Sequence, residues 1–232
     1  MRPGERPEIA RLSLFQEMGE ADRERIFAAS FLQVFPPQLT LFEVGQNADF
    51  LHVLVDGLVE LFTSNDGRDS TMAVVEPVRS FILAAVVTDQ PYLMAARTLS
   101  SSRILMIPAA LMREVICTDT ALMQAAMREL ATGFRDMVRA LTDMKLRQST
   151  ERLGNYLLTQ SARRGEPERF DLRGEKRLLA SLLGMTPENL SRAFGVLSRH
   201  GVEVDGPMVR ILDRDALVRF SKPDIVMTDG PA

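Results

Sequence analysis

The chain has 232 residues, enough for two modules of ordinary size, and its 46% hydrophobic and 25% charged content is that of a globular protein. No uncharged apolar run approaches the roughly 20 residues needed to span a bilayer, and a single cysteine, Cys117, excludes an internal disulfide and any multi-cysteine zinc or iron-sulfur cage built by one chain. The net charge of −3 disfavours a nucleic-acid partner only until it is divided along the chain: residues 147–222 carry 14 Lys and Arg against 10 Asp and Glu, a net of +4, and the remainder carries a net of −7.

The N-terminus, "MRPGERPEIARL", has charges and prolines where a secretory signal needs an apolar stretch, so a cytoplasmic location is expected. Residues 1–8 are expected to fray, and a helix is expected over Ile9 to Ala29, making 1–29 a helical lead-in. From Leu32 to Pro108 the texture changes to short β-branched and aromatic runs: "LTLFEVG", "FLHVLVDG", "LVELF", "STMAVV" and "RILMIP". Asp66-Gly67 in "SNDGRD" is a hairpin signal, because both positions can take positive φ, and Gly45 and Gly57 end strand runs in the same way. This pattern predicts a small antiparallel barrel or jelly roll over 30–108.

After Pro108 a helix is predicted over 109–146. Met123, Met127, Leu130, Phe134, Met137, Leu141 and Met144 recur at alternating spacings of four and three, an a/d seam that keeps one apolar stripe facing a partner helix. A helix packed on its own barrel would also bury such a stripe. A helix this long projects beyond a small barrel, however, so a homodimer through a soft methionine-rich seam is the expectation. Cys117, at the start of the helical region, is expected as a buried apolar residue. A second helix is expected from Thr150 to Arg163 with Gly165 as its left-handed cap, and a hinge near Lys145 to Ser149, where the heptad stops. "ARRGEPERFDLRGE" is expected as a polar loop or short hairpin.

"EKRLLASLLGMTPENLSRAFGVLSRHG" then gives two helices joined by a tight turn. Gly184 breaks the first, Thr186 can cap the second, and Pro187 stands at the first helical position, where its missing N–H costs nothing. At about 100° per residue, Leu190, Phe194 and Leu197 share one face, and Glu188, Ser191 and Arg192 lie opposite. A DNA-recognition helix needs that division: Arg192 can donate two bonds to guanine, Glu188 can accept from cytosine, and Ser191 can serve either role. Lys176, Arg177, Thr186 and Arg199 are the expected phosphate contacts. A solvated face with a Glu188–Arg192 ion pair is the plainer alternative. "VEVDGPMVRIL" can form a β-wing with Asp205-Gly206 as its turn, completing a DNA-binding domain over 147–221 before a flexible tail at 222–232. No Ser-His-Asp, metal-ligand or Gly-rich phosphate motif is present, so neither an enzyme nor a metal site is expected.

The order of barrel, long helix and C-terminal winged helix-turn-helix resembles the Crp-Fnr family of bacterial transcription regulators over about residues 12–220. Its most specific part is "GMTPENLSRAFGVL", which is similar to the E-x-x-S-R recognition helix of the Fnr side. The catabolite-activator side has an additional arginine at the position of Pro187 and glycine at that of Ser191. The resemblance implies an α+β fold with a cyclic-nucleotide-binding-like β-jelly roll, an operator with TTG and CAA half-sites, a homodimer, and RNA polymerase as a partner. The family's cyclic-phosphate cradle is a Gly-Glu pair followed by Arg-Ser. Ile82 and Leu83 replace the first pair and Gln90 and Pro91 the second, so cAMP is not expected, and one cysteine cannot supply the iron-sulfur cluster of Fnr. "FILAAVVTDQPYLMAARTLSSSRILMIPA" resembles the NnrR group, regulators of denitrification genes that respond to nitric oxide. Haem is the sensor this resemblance suggests, and only His52 and His200 could supply an imidazole: His200 follows the recognition helix as a surface or helix-end residue, which leaves His52 as the candidate ligand, although a histidine in a strand such as "FLHVLVDG" is more often a packed residue. An effector-independent regulator of Fnr/FixK-like type and a non-DNA-binding ligand module of cyclic-nucleotide-receptor type remain the alternatives.

Overall fold

Two antiparallel four-stranded sheets form the centre of the N-terminal unit, residues 1–135, in the computed structural model, which describes residues 1–165, 168–172 and 176–223. The strands are β1 (Phe31–Phe35), β2 (Thr40–Phe42), β3 (Phe50–Asp56), β4 (Val59–Asn65), β5 (Arg68–Val75), β6 (Arg79–Phe81), β7 (Ala95–Thr98) and β8 (Ser102–Pro108). They order as β1-β8-β3-β6 and β2-β7-β4-β5. Leu54 and Ile104 share the His52 face of the first sheet, which meets Phe42 of the second, while Leu51, Val53, Leu105 and Ile107 lie on its opposite face; all belong to one apolar cluster with Phe42, Val59, Leu61 and Ala96. Asp66 and Gly67 take φ of 50° and 74°, the two positive values of the tight hairpin that pairs Asn65 with Arg68.

The lead-in differs from the single helix expected. Helix α1 covers only Arg6–Ile9, α2 begins at Glu20 and runs to Ala29, and the turns between them send Leu12, Leu14, Phe15 and Met18 into the core. Apolar residues at that density bury more surface in turns than one helical face could, and Gly19 supplies the start of α2. Residues 1–8 are held rather than frayed: the Met1 ammonium donates to the Ser30 carbonyl at 2.7 Å, and Ile9 is fully buried.

The predicted helix over 109–146 is two helices, α4 (Ala109–Thr118) and α5 (Thr120–Leu146), after the short α3 (Leu83–Thr88). Asp119 is the interruption, with extended backbone and a carboxylate that accepts from Leu122 N at 2.8 Å and Gly19 N at 2.9 Å. Cys117 lies exposed on α4, not buried as expected, because Met112 and Val115 hold the inward face. Early in α5, Leu122, Ala125 and Ala126 pack into the core, and Glu129 accepts a hydrogen bond from Ser80 of β6. Burial pushes the Glu129 carboxyl above its usual range, against the opposing effects of that bond and of the Arg79 charge.

The second unit, residues 136–232, holds the end of α5, then α6 (Ser149–Arg163), β9 (Arg169–Asp171), α7 (Lys176–Leu182), α8 (Pro187–Leu197), a 3-10 turn at Ser198–His200, β10 (Val202–Asp205), β11 (Met208–Ile211) and α9 (Arg214–Ser221). Part of "ARRGEPERFDLRGE" is a strand: β9 joins the wing in a three-stranded sheet ordered β10-β11-β9, with Phe170 buried against Val209 and Ile211. The wing turn is Gly206-Pro207, one residue later than expected, because Asp205 still pairs with Met208. Most of the expected tail, residues 224–232, lies outside the described residues.

Candidate nucleic-acid interface

Helix α8 is set by three local signals. Gly184 takes φ 62° and ends α7; the Thr186 hydroxyl oxygen accepts from Asn189 N at 3.2 Å; Pro187 opens the helix at its first position. Leu190, Ala193 and Leu197 are at most 1% exposed and fix the inner face against α6 and α7. The outer face is left to Glu188, Ser191 and Arg192, all exposed. A helix so anchored presents its first two turns to a partner at little cost in ordering.

The outer side chains are occupied with one another. Arg192 donates to the Asn189 side-chain oxygen, Ser191 Oγ donates back to the Pro187 carbonyl at 3.0 Å, and Glu188 is held below the usual carboxylate range by its own backbone N–H, the Thr186 hydroxyl and the Arg192 charge. Arg192 must leave Asn189 to reach a base edge. Asn189 was missed in the sequence, although its i, i+3 spacing from Arg192 announces the contact. Thr186 works as the helix cap and partners Glu188, so a phosphate would compete for its hydroxyl. Lys176 and Arg177 are exposed in the first turn of α7, and Arg199 is exposed in the 3-10 turn after α8.

The seam of α5 is largely uncovered. Phe134 is 68% exposed, Met137 67% and Leu141 54%, with Met123, Met127 and Met144 also exposed. Leu130 departs from the others: it is half-buried against the barrel core, at the border of the face that carries Ala126.

His52 lies within the barrel at 6% exposure, its ring centroid 5.1 Å from Phe42, 5.3 Å from Phe81 and 6.5 Å from Tyr92. Among the described residues its buried Nδ1 has no hydrogen-bond partner, which a ligand role would explain. The three aromatic rings nonetheless enclose it, and a porphyrin approaching His52 would have to displace them, so these residues do not fit haem. Burial lowers the His52 pKa to about 4 from the ordinary 6.5. On acidification the unfolded chain takes this proton first, so stability is intact above pH 6.5 and falls as pH drops toward 4, by about 3 kcal/mol at about 1.4 kcal/mol per unit. Denaturant titrations at pH 7 and pH 4.5 are expected to show this loss, and His52→Phe to make the acid slope shallower. An unchanged slope in the variant contradicts the assignment. His200 stacks on Phe220 with centroids 4.1 Å apart, a packing role at the end of the recognition unit.

Comparison with known proteins covers both units. Residues 32–119 match the cyclic nucleotide-binding domain, and residues 151–220 match the Crp-like helix-turn-helix domain. Among solved structures, FixK2 from Bradyrhizobium japonicum is similar with a TM-score of 0.73 at 17% identity, covering 88% of this chain and 98% of that one. A CooA mutant from Carboxydothermus hydrogenoformans gives 0.73 at 16% identity over 92% and 94% of the two chains. DNR from Pseudomonas aeruginosa gives 0.50 at 24% identity over 95% and 99%. At these identities the likeness is one of fold. No curated protein sequence matches the chain. Among the described residues, no helix is long and apolar enough to cross a membrane.

Proposed function

We propose, from the premise that this chain belongs to the Crp-Fnr family of DNA-binding transcription regulators, that it acts as a homodimer on an Fnr-type palindrome with TTG and CAA half-sites. The observation that carries the operator reading is the outer face of α8, where Glu188, Ser191 and Arg192 stand over a buried Leu190, Ala193 and Leu197. Arg192 addresses the guanine of TTG, and Glu188 the amino group of its paired cytosine. Selection of bound sequences from a random duplex pool tests the assignment. Enrichment of TTG and CAA arranged as a palindrome is expected, and enrichment of another motif, or of none, contradicts it.

The exposed seam supports the dimer. A stripe of Met127, Phe134, Met137 and Leu141 on one helix is larger than isolated surface apolar residues explain, and a second copy of α5 covers it with the same heptad. Lys176, Arg177, Thr186 and Arg199 are assigned to phosphates. Lys176→Ala is expected to weaken operator and scrambled DNA alike and to reduce the slope of log affinity against log salt by about 0.9 per subunit. Loss confined to the operator contradicts that role.

For the sensory unit, we assign an effector other than cAMP. Ile82 takes φ 64°, a value that suits glycine, and Leu83 packs into the core at 5% exposure, so this corner offers neither a glycine backbone nor a carboxylate to a cyclic nucleotide. Control of denitrification or nitrogen-oxide genes in response to nitric oxide, with RNA polymerase as downstream partner and without enzymatic chemistry, follows from the resemblance of the 81–109 segment to the NnrR group. Anoxic operator binding with and without nitric oxide, on protein prepared with and without haem, separates the cases. A nitric oxide effect only in the haem-loaded preparation supports a haem sensor, at a place other than an undisturbed His52. Full binding regardless of gas or haem favours the effector-independent reading.

A further inference from the structure

The end of the long helix and the helix-turn-helix are joined by two arginines, and the bonds they make alter the expectation of a free hinge at 145–149. Helix α5 stops at Leu146 and α6 starts at Ser149, with the Glu151 carboxylate accepting from Gln148 N at 2.9 Å, so the connector is short and capped. Arg147, in that connector, donates from Nη1 to the Ser221 carbonyl at 2.8 Å and also to the Lys222 carbonyl, and from Nε to Asp143 Oδ1 at 2.7 Å. The Asn155 amide, turned with its oxygen toward the same guanidinium, accepts from Nε at 2.9 Å. Arg152, in α6, donates from Nη1 to the Arg147 carbonyl at 2.9 Å, from Nε to the Leu183 carbonyl at 3.0 Å and from Nη2 to the Gly184 carbonyl at 3.5 Å.

Three helix C-termini therefore converge on two guanidinium groups: the ends of α5, α7 and α9. Each end leaves carbonyls without intrahelical partners and carries the negative end of its helix dipole, so cations with several donors are suited to hold all three. Met144, in the last turn of α5, adds a steric contact. A Cβ placed on Gly184 would lie 2.6 Å from Met144 Cε, so the seam's last residue rests on the turn of the helix-turn-helix.

We infer that Arg147 and Arg152 are positioning residues for DNA recognition: Arg152 ties the end of α7, and Arg147 the end of α9, to the end of α5, so that the separation and angle of the two recognition helices are set by the dimer seam. The inference rests on the homodimeric operator reading above. A guanidinium clamp of this kind predicts strictness about half-site spacing, since one base pair moves a half-site by about 3.4 Å and turns it by about 34°.

The test measures affinities for three duplexes: the palindrome, the palindrome with its spacer lengthened by one base pair, and a single half-site. Wild type is expected to lose about tenfold or more on the altered spacer. In Arg152→Met that penalty is expected to shrink to about twofold or less, with half-site affinity unchanged within about twofold and with Arg152→Lys intermediate. A merely structural role would lower all three affinities together and leave the spacer ratio alone. A wild-type spacer penalty retained in Arg152→Met, or a uniform loss, overturns the clamp. A wild type that shows no preference for the palindrome over the half-site overturns the dimeric reading and the clamp with it.

Discussion

Arg192→Ala will lower discrimination at the guanine of the operator by about 1–3 kcal/mol, about 5- to 150-fold in the ratio of affinities for the operator and for its guanine-substituted version. The size follows from a bidentate contact that no other base edge satisfies. The fold will not be disturbed, since Arg192 is exposed and its hydrogen bond runs to Asn189, also exposed. Asn189→Ala makes an informative companion. It frees Arg192 from its resting partner, so affinity is retained or improved where Arg192→Ala loses it. Equal loss of affinity across all sequences in Arg192→Ala would place this residue on a phosphate and remove it from base recognition.

Phe134→Glu combined with Leu141→Glu will convert the dimer to a monomer and reduce palindrome affinity by about 10²- to 10⁴-fold, leaving half-site binding nearly unchanged. Both side chains are more than half exposed in the single chain, so charges there disturb little within a subunit and much between subunits. Four carboxylates placed in one apolar seam repel one another and cannot be desolvated without partners. Sedimentation equilibrium gives the readout, as a fall from twice 25.9 kDa to 25.9 kDa. A variant that remains dimeric would show that the α5 stripe is not the interface.

The recognition unit was legible because its signals are local. Gly184, Thr186 and Pro187 each act within one turn of their own position, and the alternation of Leu190, Phe194 and Leu197 against Arg192 needs only the helical period. The Asp66-Gly67 hairpin was legible for the same reason. Strands as short as β6 and β9 were not, because three residues show no period, and their pairing is decided by Leu54 and Met208, which are distant in the chain. The break at Asp119 was present in the sequence as a capping residue between two threonines, but a continuous apolar pattern on both sides concealed it. Arg152 meets Leu183 across 31 positions and Arg147 meets Ser221 across 74, so the clamp had no sequence signature at all. The strand that carries His52 was legible in the sequence, whereas the enclosure of His52 by Phe42, Phe81 and Tyr92 follows from the closure of the two sheets.

The measurement closest to the central claim is a fluorescence-anisotropy titration, at one fixed salt concentration, of the full chain on two labelled duplexes of equal composition. One carries TTG and CAA about eight base pairs apart, which places half-site centres about one helical turn apart, and the other carries the same bases scrambled. Preference for the palindrome by about 10³-fold or more is the expected result. Equal affinity for the two duplexes would contradict sequence-specific recognition by α8.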